Sequence, residues 1–439
     1  MSNKKLKVAW ICAFSNEQVR ANLPLNKHRL VNSIKRLFDK PPRNAYSDFA
    51  AWVTNSIAEF EKFEDVELHV ISPHRFMTKL SSRFFINNIY YYFYKQDIPL
   101  IHRPVPVKKY LGLNPQVLYS RYFVRKTIKL IKPDIVNLVG SEYPPKAITA
   151  LDIRNIPIYV SMQTVYNNPL RYKYSSRFSK YRAEIEQRVF KHCNYYGCGG
   201  RMHYDLVKNY KPEADVFKLF FPRQRPDEVK YVEKEFDFVF FAGLHKKKGV
   251  EDLIEALTIV KEEKTDVSLN IIGGTKGEYV GFLKHKINTL GLSENIVFSQ
   301  RFATYQDLFQ HLVKSRFATL PVKLDSIPSS VNEAMYLGLP VVTYRTTGMP
   351  FLNKDGETVL MSDIGDIQAL ADNMLKLLKS TELAEKLAKD AKQFVNREFD
   401  NTKNAKKLVA DYRAVIDNYH NNTPIPRELL FNIEEFPIY

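Results

Sequence analysis

Two carboxylates, Asp325 and Glu333, stand eight positions apart across a predicted turn between a strand and a helix. Pro328 fits beside the first turn of a helix but not deep inside one, and Ser330-Val-Asn-Glu333 fits a capping box. We therefore expect a helix to begin near Ser329 or Ser330. The free N–H groups and the positive dipole end of such a helix can bind phosphate oxygens, while the two acids can accept hydrogen bonds from sugar hydroxyls. This combination indicates a site for a nucleoside diphosphate sugar.

A simpler interpretation of the same residues stays open, in which Glu333 only closes the capping box and Asp325 only forms a turn. Their surroundings favour the binding site. Ala-Met follows Glu333, and Gly338-Leu-Pro340-Val-Val begins the next predicted strand. The whole stretch resembles the retaining GT-B glycosyltransferases of glycosyltransferase family 4, whose pattern is an acid, seven further residues, Glu-Ala and then Gly-x-Pro-Val. Asp325 replaces the first Glu of that pattern, which shortens the reach to the sugar by one methylene.

A cluster of cations, Gly243-Leu-His-Lys-Lys-Lys248, stands between another predicted strand and helix. Fixed positive charge and free N–H groups would converge there, where a leaving diphosphate gains charge. The resemblance implies that Lys248 takes the place of the family's lysine. The family's arginine after Gly243 is missing, so either His245, Lys246 or Lys247 supplies that charge or the phosphate is held more weakly. The alternative for the cluster is a solvated lysine run.

Two further stretches of the second half fall where the resemblance implies contacts with the donor. The loop Gly273-Gly-x-x-Gly277 is weak evidence, because glycines after a parallel strand are common loop formers. Val297-Phe-Ser-Gln-Arg-Phe302 stands where the family holds the nucleotide base, with Gln300 or Arg301 in place of the usual glycine. We expect Arg301 to contact the donor, while the identity of the base (uracil, guanine or adenine) stays open.

The first half departs further from the family. Its first strand is followed by Phe14-Ser-Asn-Glu-Gln-Val-Arg20 and not by a glycine-rich loop, so Asn16 and its neighbours would bind the donor through side chains. Gln163 stands after a later strand where many members carry a histidine, and it can donate a hydrogen bond but cannot shuttle a proton. Arg201 follows Gly-Gly200 and would contact the donor, with an ordinary surface arginine as the alternative.

The resemblance implies a retaining glycosyltransferase that moves a sugar from a nucleoside diphosphate to a hydroxyl of a growing glycan by front-face attack. In that scheme Lys248 and the helix at Ser329 and Ser330 stabilise the leaving phosphate, Glu333 holds the ribose and Asp325 holds the transferred sugar. We expect no cofactor and no metal site. Two other classes stay open: a sugar-nucleotide epimerase or phosphorylase of the same architecture, and a noncatalytic protein that binds membranes or polyanions.

Alternating predicted strands and helices position these residues. In both halves the alternation indicates an α/β fold with doubly wound parallel sheets, and Gly243, Gly273 and Asp325 all follow strand ends, so they should line one crevice. A polar stretch with two prolines places the domain boundary near Pro226. The resemblance implies a GT-B fold of two Rossmann-like domains facing a cleft. We assign residues 1–225 to the acceptor side, 226–400 to the nucleotide sugar, and 401–439 to a helix and tail that cross back to the first domain.

Length and composition agree with a two-domain enzyme of a reducing compartment. A chain of 439 residues with 45% apolar residues can bury two cores. No run of about 18 uncharged apolar residues and no signal peptide is found, so a cytoplasmic protein is expected. Cys12, Cys193 and Cys198 form no C-x-x-C pair, which argues against a disulfide framework and a zinc site.

Much of the net charge of +17 lies in one aromatic segment. Between Arg75 and Lys132 twelve basic residues face one acid, Asp97, and the segment also holds Phe84-Phe85 and Tyr90-Tyr-Tyr-Phe-Tyr94. Cations with interleaved rings favour an anionic membrane surface, so we expect a peripheral protein on the inner face of the cell membrane with a lipid-linked glycan acceptor. In the alternative, the rings fill a core and the cations solvate its outside. Nucleic acid is disfavoured as a partner, because no RNA-binding signature accompanies the segment.

Overall fold

The computed structural model describes residues 5–25, 33, 36–37, 48–96, 115–168, 177–230, 232–273 and 277–437. The chain forms two compact units. The first comprises Met1–Gly199, His203–Pro222 and Asn401–Phe431, and the second comprises Gly200–Met202, Arg223–Asp400 and Asn432–Tyr439. The chain therefore passes from the first unit into the main part of the second after Pro222, close to the domain boundary predicted near Pro226. The last residues group with the second unit and not, as predicted, with the first.

The first unit is built on one sheet. Its strands, in the part of the chain that the structure describes, are β1 (Leu6–Ile11), β2 (Val66–His74), β3 (Ser81–Ile86), β4 (Ile89–Lys95), β5 (Ile135–Val139), β6 (Ile158–Ser161), β7 (Tyr195–Cys198) and β8 (Asp215–Lys218). They are arranged in the order β3-β4-β2-β1-β5-β6-β7-β8, and the described neighbours are parallel except for the antiparallel pair β3 and β4. The sequence predicts β1, β2, β5, β6 and β7 but misses the β3–β4 hairpin and β8.

The helices described between these strands are α1 (Glu17–Ala21), α2 (Ala51–Phe60), α3 (Pro115–Ile131), α4 (Pro144–Ala147), α5 (Arg177–His192) and α6 (Arg201–Tyr210). Helix α2 shows why they pack on the sheet. Its buried residues Val53, Ile57 and Phe60 recur at helical spacing and form one apolar face. The Phe60 ring lies edge-on to Trp10 of β1, with 4.7 Å between the ring centroids.

The second unit has the sheet order of a dinucleotide-binding fold. Its strands are β9 (Phe236–Phe241), β10 (Leu269–Ile272), β11 (Ile296–Ser299), β12 (Ser315–Leu320), β13 (Val341–Tyr344) and β14 (Leu360–Ser362), and its helices are α7 (Val250–Glu263), α8 (Glu278–Thr289), α9 (Tyr305–Leu312), α10 (Ser329–Tyr336), α11 (Ile367–Lys379) and α12 (Thr381–Glu398). The order β11-β10-β9-β12-β13-β14 places β9 between β10 and β12, which continue the sheet in opposite directions. The loops after β9 and β12 therefore meet at the point where such folds bind ligands.

Helix α13 (Asn401–Asn421) belongs to the first unit although it follows the whole second sheet in sequence. Its residues Leu408, Tyr412 and Val415 are buried in the core that contains Trp10 and Phe60. The Tyr412 hydroxyl accepts a hydrogen bond from Asn137 Nδ2 at 2.6 Å. The predicted return of this helix to the first domain is confirmed.

The aromatic segment divides between core and surface. Tyr91, Phe93 and Tyr94 are buried, and Tyr94 packs on Tyr119 and Phe123 of α3. These three rings therefore follow the alternative expectation and fill a core, because alternate residues of a strand point to opposite faces and both faces of β4 are partly covered. Phe85 and Tyr90 keep 54% and 37% of their surface exposed. Of the predicted basic residues, Arg103, Lys108 and Lys109 lie outside the described residues, as does the acid Asp97.

Two general properties concern membranes and thiols. In the part of the chain that the structure describes, no helix is long and apolar enough to cross a membrane. Cys12, Cys193 and Cys198 are buried free thiols. Burial raises the pKa of Cys12 and of Cys193 to about 12, so neither is poised to react as a thiolate near neutral pH.

Candidate functional site

The loops after β9 and β12 touch at the carboxyl edge of the second sheet. The backbone N–H of Lys323 donates to the carbonyl of Lys247 at 2.9 Å. Gly249 stands in the left-handed region with a φ of 75°, and a Cβ atom there would lie 1.9 Å from the carbonyl oxygen of Pro321. Only glycine allows this approach, because the conformation and the space both exclude a side chain. The two predicted motifs are thus held side by side.

Lys248 and Asp325 form the centre of this arrangement. The Lys248 ammonium lies 3.0 Å from Asp325 Oδ2, and both side chains remain partly exposed. The sequence predicts separate contacts, of Lys248 with the diphosphate and of Asp325 with the sugar, and does not predict that they contact each other. A lysine ammonium carries three N–H donors, so the pair with Asp325 leaves donors for an anion.

Helix α10 begins at Ser329, as expected, but without the predicted capping box. Its N-cap is Pro328, with extended backbone and no side-chain hydrogen bond to the helix. Ser330 is already helical, whereas a capping box needs its serine at the non-helical N-cap, so the prediction is wrong. Glu333 consequently lies in the second turn. Its carboxylate is not occupied in closing the start of the helix.

Glu333 is buried and faces the charge of Arg223. Burial raises the pKa of Glu333 to about 7, and the nearby Arg223 guanidinium opposes that shift. Arg223 donates to Ser329 Oγ at 2.8 Å and to the Ile327 carbonyl at 3.3 Å. Burial lowers the pKa of Arg223, while the charges of Asp325 and Glu333 act in the opposite direction. Arg223 is therefore bonded to the start of α10 and lies within electrostatic range of both predicted acids.

Sequence reasoning misses Arg223, because it stands in the proline-containing stretch interpreted as a linker. The available signal is its position between Pro222 and Pro226, two residues with restricted backbone just before β9. Such a stretch can hold a side chain in place without regular secondary structure.

The remaining predicted residues of the second unit occupy the same edge of the sheet. Gly243 needs no left-handed backbone, and a Cβ there would lie 3.6 Å from the His245 ring, so its smallness is not required. Burial and the charges of Lys248 and Lys247 lower the pKa of His245, which leaves it neutral near pH 7. Among the candidates for the missing cation, the lysines are therefore favoured over His245. Arg301 donates from Nε to the carbonyl of Gly273 at 3.1 Å, which joins the loops after β10 and β11.

Glycine loop residues 274–276 lie outside the described part of the chain. Gly273 itself is closely packed, because a Cβ there would meet the Ala242 carbonyl oxygen at 2.6 Å and Leu244 Cγ at 2.8 Å. The ends of β9, β10 and β12 thus lie side by side, as the positions of Gly243, Gly273 and Asp325 predict.

The predicted residues of the first half have different surroundings. Asn16 accepts a hydrogen bond from the Val19 N–H at 2.8 Å and is thereby engaged as the N-cap of α1. Gln163 lines a cavity of the first unit. Arg201 begins α6 and groups with the second unit, next to Gly200, where a Cβ would lie 3.2 Å from Ser326 Oγ. The structure therefore brings Arg201 near the loop that carries Asp325, while contact of any of these residues with a donor stays a prediction.

No group of three or more His, Cys, Asp or Glu side chains among the described residues is arranged to hold a metal ion. The site combines a cation, two acids, an arginine and a helix N-terminus at one edge of the sheet.

Residues 222–394 match the family described as glycosyl transferases group 1. An N-acetyl-alpha-D-glucosaminyl L-malate synthase from Bacillus anthracis is 24% identical over 48% of this chain and 55% of its own. A GDP-mannose-dependent alpha-(1-6)-phosphatidylinositol monomannoside mannosyltransferase from Mycolicibacterium smegmatis is 30% identical over 32% of this chain and 38% of its own. The matched region thus spans about half or less of these relatives.

Solved structures resemble almost the whole chain in fold. Sucrose-phosphate synthase from Thermosynechococcus elongatus superposes with a TM-score of 0.65 over 93% of this chain and 98% of its own, at 12% identity. HepE from Anabaena, in complex with UDP and glucose, gives a TM-score of 0.61 over 92% of this chain and 98% of its own, at 14% identity. The predicted α/β fold with two doubly wound domains is confirmed.

Proposed function

We propose that this chain, which resembles the GT-B glycosyltransferases of family 4 in fold and in its second half, transfers a sugar from a nucleoside diphosphate to a hydroxyl of a glycan acceptor. In this proposal the anomeric configuration is retained and no metal ion is needed. Lys248 and the N-terminus of α10 stabilise the leaving diphosphate, which accepts the proton of the attacking hydroxyl. Asp325 positions the transferred sugar and Glu333 the ribose.

The observation that carries the proposal is the contact between Lys248 and Asp325 at the switch point of the second sheet. A cation there lies where a diphosphate gains charge, and an acid beside it can hold hydroxyls of the sugar next to the broken bond. Arg223 adds a second positive charge at the start of α10, where it donates to the Ser329 hydroxyl. The solved structure of HepE with UDP and glucose, which shares this fold, supports a nucleotide sugar as the donor.

A thermal-shift screen with UDP, GDP and ADP tests the donor side. The matching nucleotide is expected to raise the melting temperature, since a ligand that binds only the folded state stabilises it by about 2.7 kcal/mol at one hundred times its dissociation constant. Glu333→Ala is expected to abolish the shift. Two results would contradict the proposed site and favour a noncatalytic binding protein. In one, the nucleotide still stabilises the Glu333→Ala variant; in the other, none of the three nucleotides stabilises the wild-type chain.

Release of the nucleoside diphosphate tests the reaction class. A transferase is expected to release it from the sugar nucleotide in proportion to a hydroxyl acceptor, with only slow hydrolysis in the acceptor's absence. A sugar-nucleotide epimerase would instead convert the donor without releasing the diphosphate. That result would refute the transferase.

A lipid-linked acceptor at the inner face of the cell membrane is the finer part of the proposal. Helix α3 supports it with exposed Leu118, Tyr122 and Leu130 beside the exposed cations Arg125, Lys126 and Lys129. Tyr94 packs under α3, and Tyr90 lies on the same face of β4, so the exposed rings and the helix share one side of the sheet. Cations near anionic headgroups contribute about 1 kcal/mol each. One relative is named for a phosphatidylinositol-linked acceptor.

Sedimentation with anionic vesicles tests the membrane surface. The chain is expected to bind at low salt and to be released at high salt, because screening weakens charge attraction. Lys126→Glu/Lys129→Glu and Phe85→Ser/Tyr90→Ser should each reduce binding. Lys389→Glu and Phe282→Ser, which alter an exposed cation and an exposed ring of the second unit, serve as matched controls. Wild type that stays in the supernatant at low salt would exclude this membrane role.

A further inference from the structure

The first unit contains a cavity of about 1000 Å³ at the carboxyl edge of its sheet. Its lining comes from residues that end or follow β1, β2, β5 and β6, including Ser15, His74, Glu142 and Gln163. This is the edge at which open α/β sheets bind ligands. All of its described lining residues belong to the first unit, whereas Lys248 and Asp325 belong to the second.

Three arginines give this cavity an excess of positive charge. Arg20, Arg75 and Arg182 line it, whereas Glu142 is the acid among the described lining residues. Arg20 is held by Asp48 at 2.6 Å and by Ser15 Oγ at 3.1 Å, and positive charge still exceeds negative when Asp48 is counted. A guanidinium matches the geometry of phosphate and carboxylate groups with paired donors.

The arginine of α5 is placed by an aromatic ring. Arg182 donates to the Tyr166 hydroxyl and lies over that ring, 5.0 Å from its centroid. His74 is buried on the cavity wall. Burial, together with the positive charge of Arg20, lowers the pKa of His74 to about 4. The imidazole is therefore neutral at physiological pH, so His74 contributes no charge to the binding of an anion.

Glu142 adds an acceptor for a hydroxyl. One of its oxygens lies 3.0 Å from the ammonium of buried Lys146, which also donates to the Val139 carbonyl. Its other oxygen, Oε2, has no hydrogen-bond partner among the described residues. Buried Glu186 fixes the loops beside it, because it accepts from Ser141 Oγ at 2.8 Å and from the Tyr166 N–H at 2.9 Å. Oε2 is itself buried, so Glu142 is held in place at the cavity wall and presents only the partly exposed remainder of its carboxylate to a ligand hydroxyl.

Aromatic side chains complete the walls. Phe49, Trp52, Phe76 and Tyr143 line the cavity, and Trp52 packs on Phe221 with 4.6 Å between ring centroids. Small-molecule sites combine such apolar walls with a few placed polar groups. Rings beside arginines and a carboxylate suit an organic ligand with both an anionic group and hydroxyls.

We infer that this cavity binds the acceptor through an anionic group, a phosphate ester or a carboxylate, held by Arg20, Arg75 and Arg182, with an acceptor hydroxyl on Glu142. The assignment as acceptor rests on the proposed function. The binding of a hydroxylated anion by the first unit is independent of the proposed function. The anion can belong to a soluble molecule or to a lipid headgroup, and both offer the same oxygens to the arginines.

Calorimetry on the full chain tests the inference with no nucleotide present. Glycerol 3-phosphate and glycerate are the soluble probes and uncharged glycerol is the control; phosphatidylglycerol and phosphatidylcholine vesicles are the corresponding lipid probes. Arg182→Gln and Arg75→Gln are each expected to weaken binding of the anionic probe about 10- to 100-fold. Arg188→Gln, which alters an exposed arginine of the same helix α5 outside the cavity, should leave it unchanged.

The outcomes distinguish a soluble anion from a lipid headgroup, and they distinguish failure of the anion site from failure of the proposed function. Binding of the soluble anions that is lost in both variants supports a soluble acceptor, and binding of phosphatidylglycerol alone with the same loss supports a lipid. Failure of every anionic probe to bind, or binding that survives both substitutions, overturns the inference. The nucleotide shift of each variant is measured in parallel and reports folding of the second unit. Anion binding without any nucleotide shift would refute the proposed function and leave the anion site standing.

Discussion

Glu333 and Arg223 place a titratable carboxylate inside the candidate donor site. Since burial raises the pKa of Glu333 to about 7, its charge changes close to physiological pH. If the ribose is held by the carboxylate, Glu333→Gln should weaken nucleotide binding about 10- to 100-fold. Wild-type affinity should fall as the pH is lowered through 7, whereas the variant should lack this dependence. Calorimetric titrations between pH 6 and pH 8 check both expectations.

Stability should respond to pH in the opposite sense. The folded-state pKa of Glu333 lies above that of an ordinary carboxyl, so the folded chain binds the proton more tightly than the unfolded chain. The contribution of Glu333 to the free energy of unfolding is therefore lost as the pH rises from the ordinary pKa of a glutamate through about 7. Urea unfolding should show Glu333→Gln gaining stability relative to wild type over that interval. If the free energy of unfolding of Glu333→Gln fell relative to that of wild type as the pH rises, the raised pKa of Glu333 would be contradicted.

Lys248 carries the chemical prediction at this scale. Lys248→Ala should lower turnover by about 10²–10³, in line with the loss of one electrostatic donor to a developing anion, and Lys248→Arg should recover part of it. Asp325→Asn should lower turnover more than nucleotide affinity, because its proposed partner is the transferred sugar. Steady-state kinetics with nucleotide titrations separate the two effects. Equal turnover of Lys248→Ala and wild type would remove Lys248 from the site.

The positions of Gly243 and Asp325 after predicted strands were enough to predict that the loops carrying Lys248 and Asp325 lie at neighbouring strand ends. Their mutual contacts were not predictable, because the distance between Lys248 and Asp325 depends on two loops that meet only in the folded sheet. Arg223 was missed for a similar reason: its partners are 104 and 106 positions away in sequence. Local patterns contain no information on such pairs.

At the scale of elements, hydrophobic periodicity predicts nearly all strands and helices of the second unit. It fails at the β3–β4 hairpin, where Tyr90 to Tyr94 form an uninterrupted aromatic run and show no alternation. The turn did leave a signal. Asn87 and Asn88 both have positive φ, at 48° and 64°, as a two-residue hairpin turn requires, and asparagine is a residue that tolerates it.

The loop contact beside α7 leads to a matched pair of glycine variants. Gly249→Ala should destabilise the chain by about 2–5 kcal/mol, because it adds a clash with the Pro321 carbonyl to the strain of a left-handed backbone. Gly291→Ala should cost about 1–2 kcal/mol, since its φ of 67° gives the strain while nothing lies within 4 Å of the added Cβ. Denaturant unfolding measures both. Equal losses would show that the loops after β9 and β12 are not in close contact.

At the scale of the whole molecule, the first core is discontinuous in sequence. Helix α13 supplies Leu408, Tyr412 and Val415 to the core that holds Trp10. A fragment of residues 1–222 should therefore fail to unfold cooperatively on heating, because it leaves that apolar surface uncovered. The same fragment joined to residues 401–431 by a flexible linker should regain a cooperative transition. Circular dichroism melts compare them, and a cooperative melt of residues 1–222 alone would contradict this account.

The position of α13 also determines the order in which the two cores can be completed during synthesis. The ribosome delivers β1 to β8 first, then the whole second sheet, and only afterwards the helix that closes the first core. The nascent first unit must wait through the translation of the intervening residues with the surface around Trp10 and Phe60 open to solvent. Exposed apolar surface of this kind is prone to aggregate and is protected by chaperones. The half of the chain that is made first is thus expected to be the half that matures last.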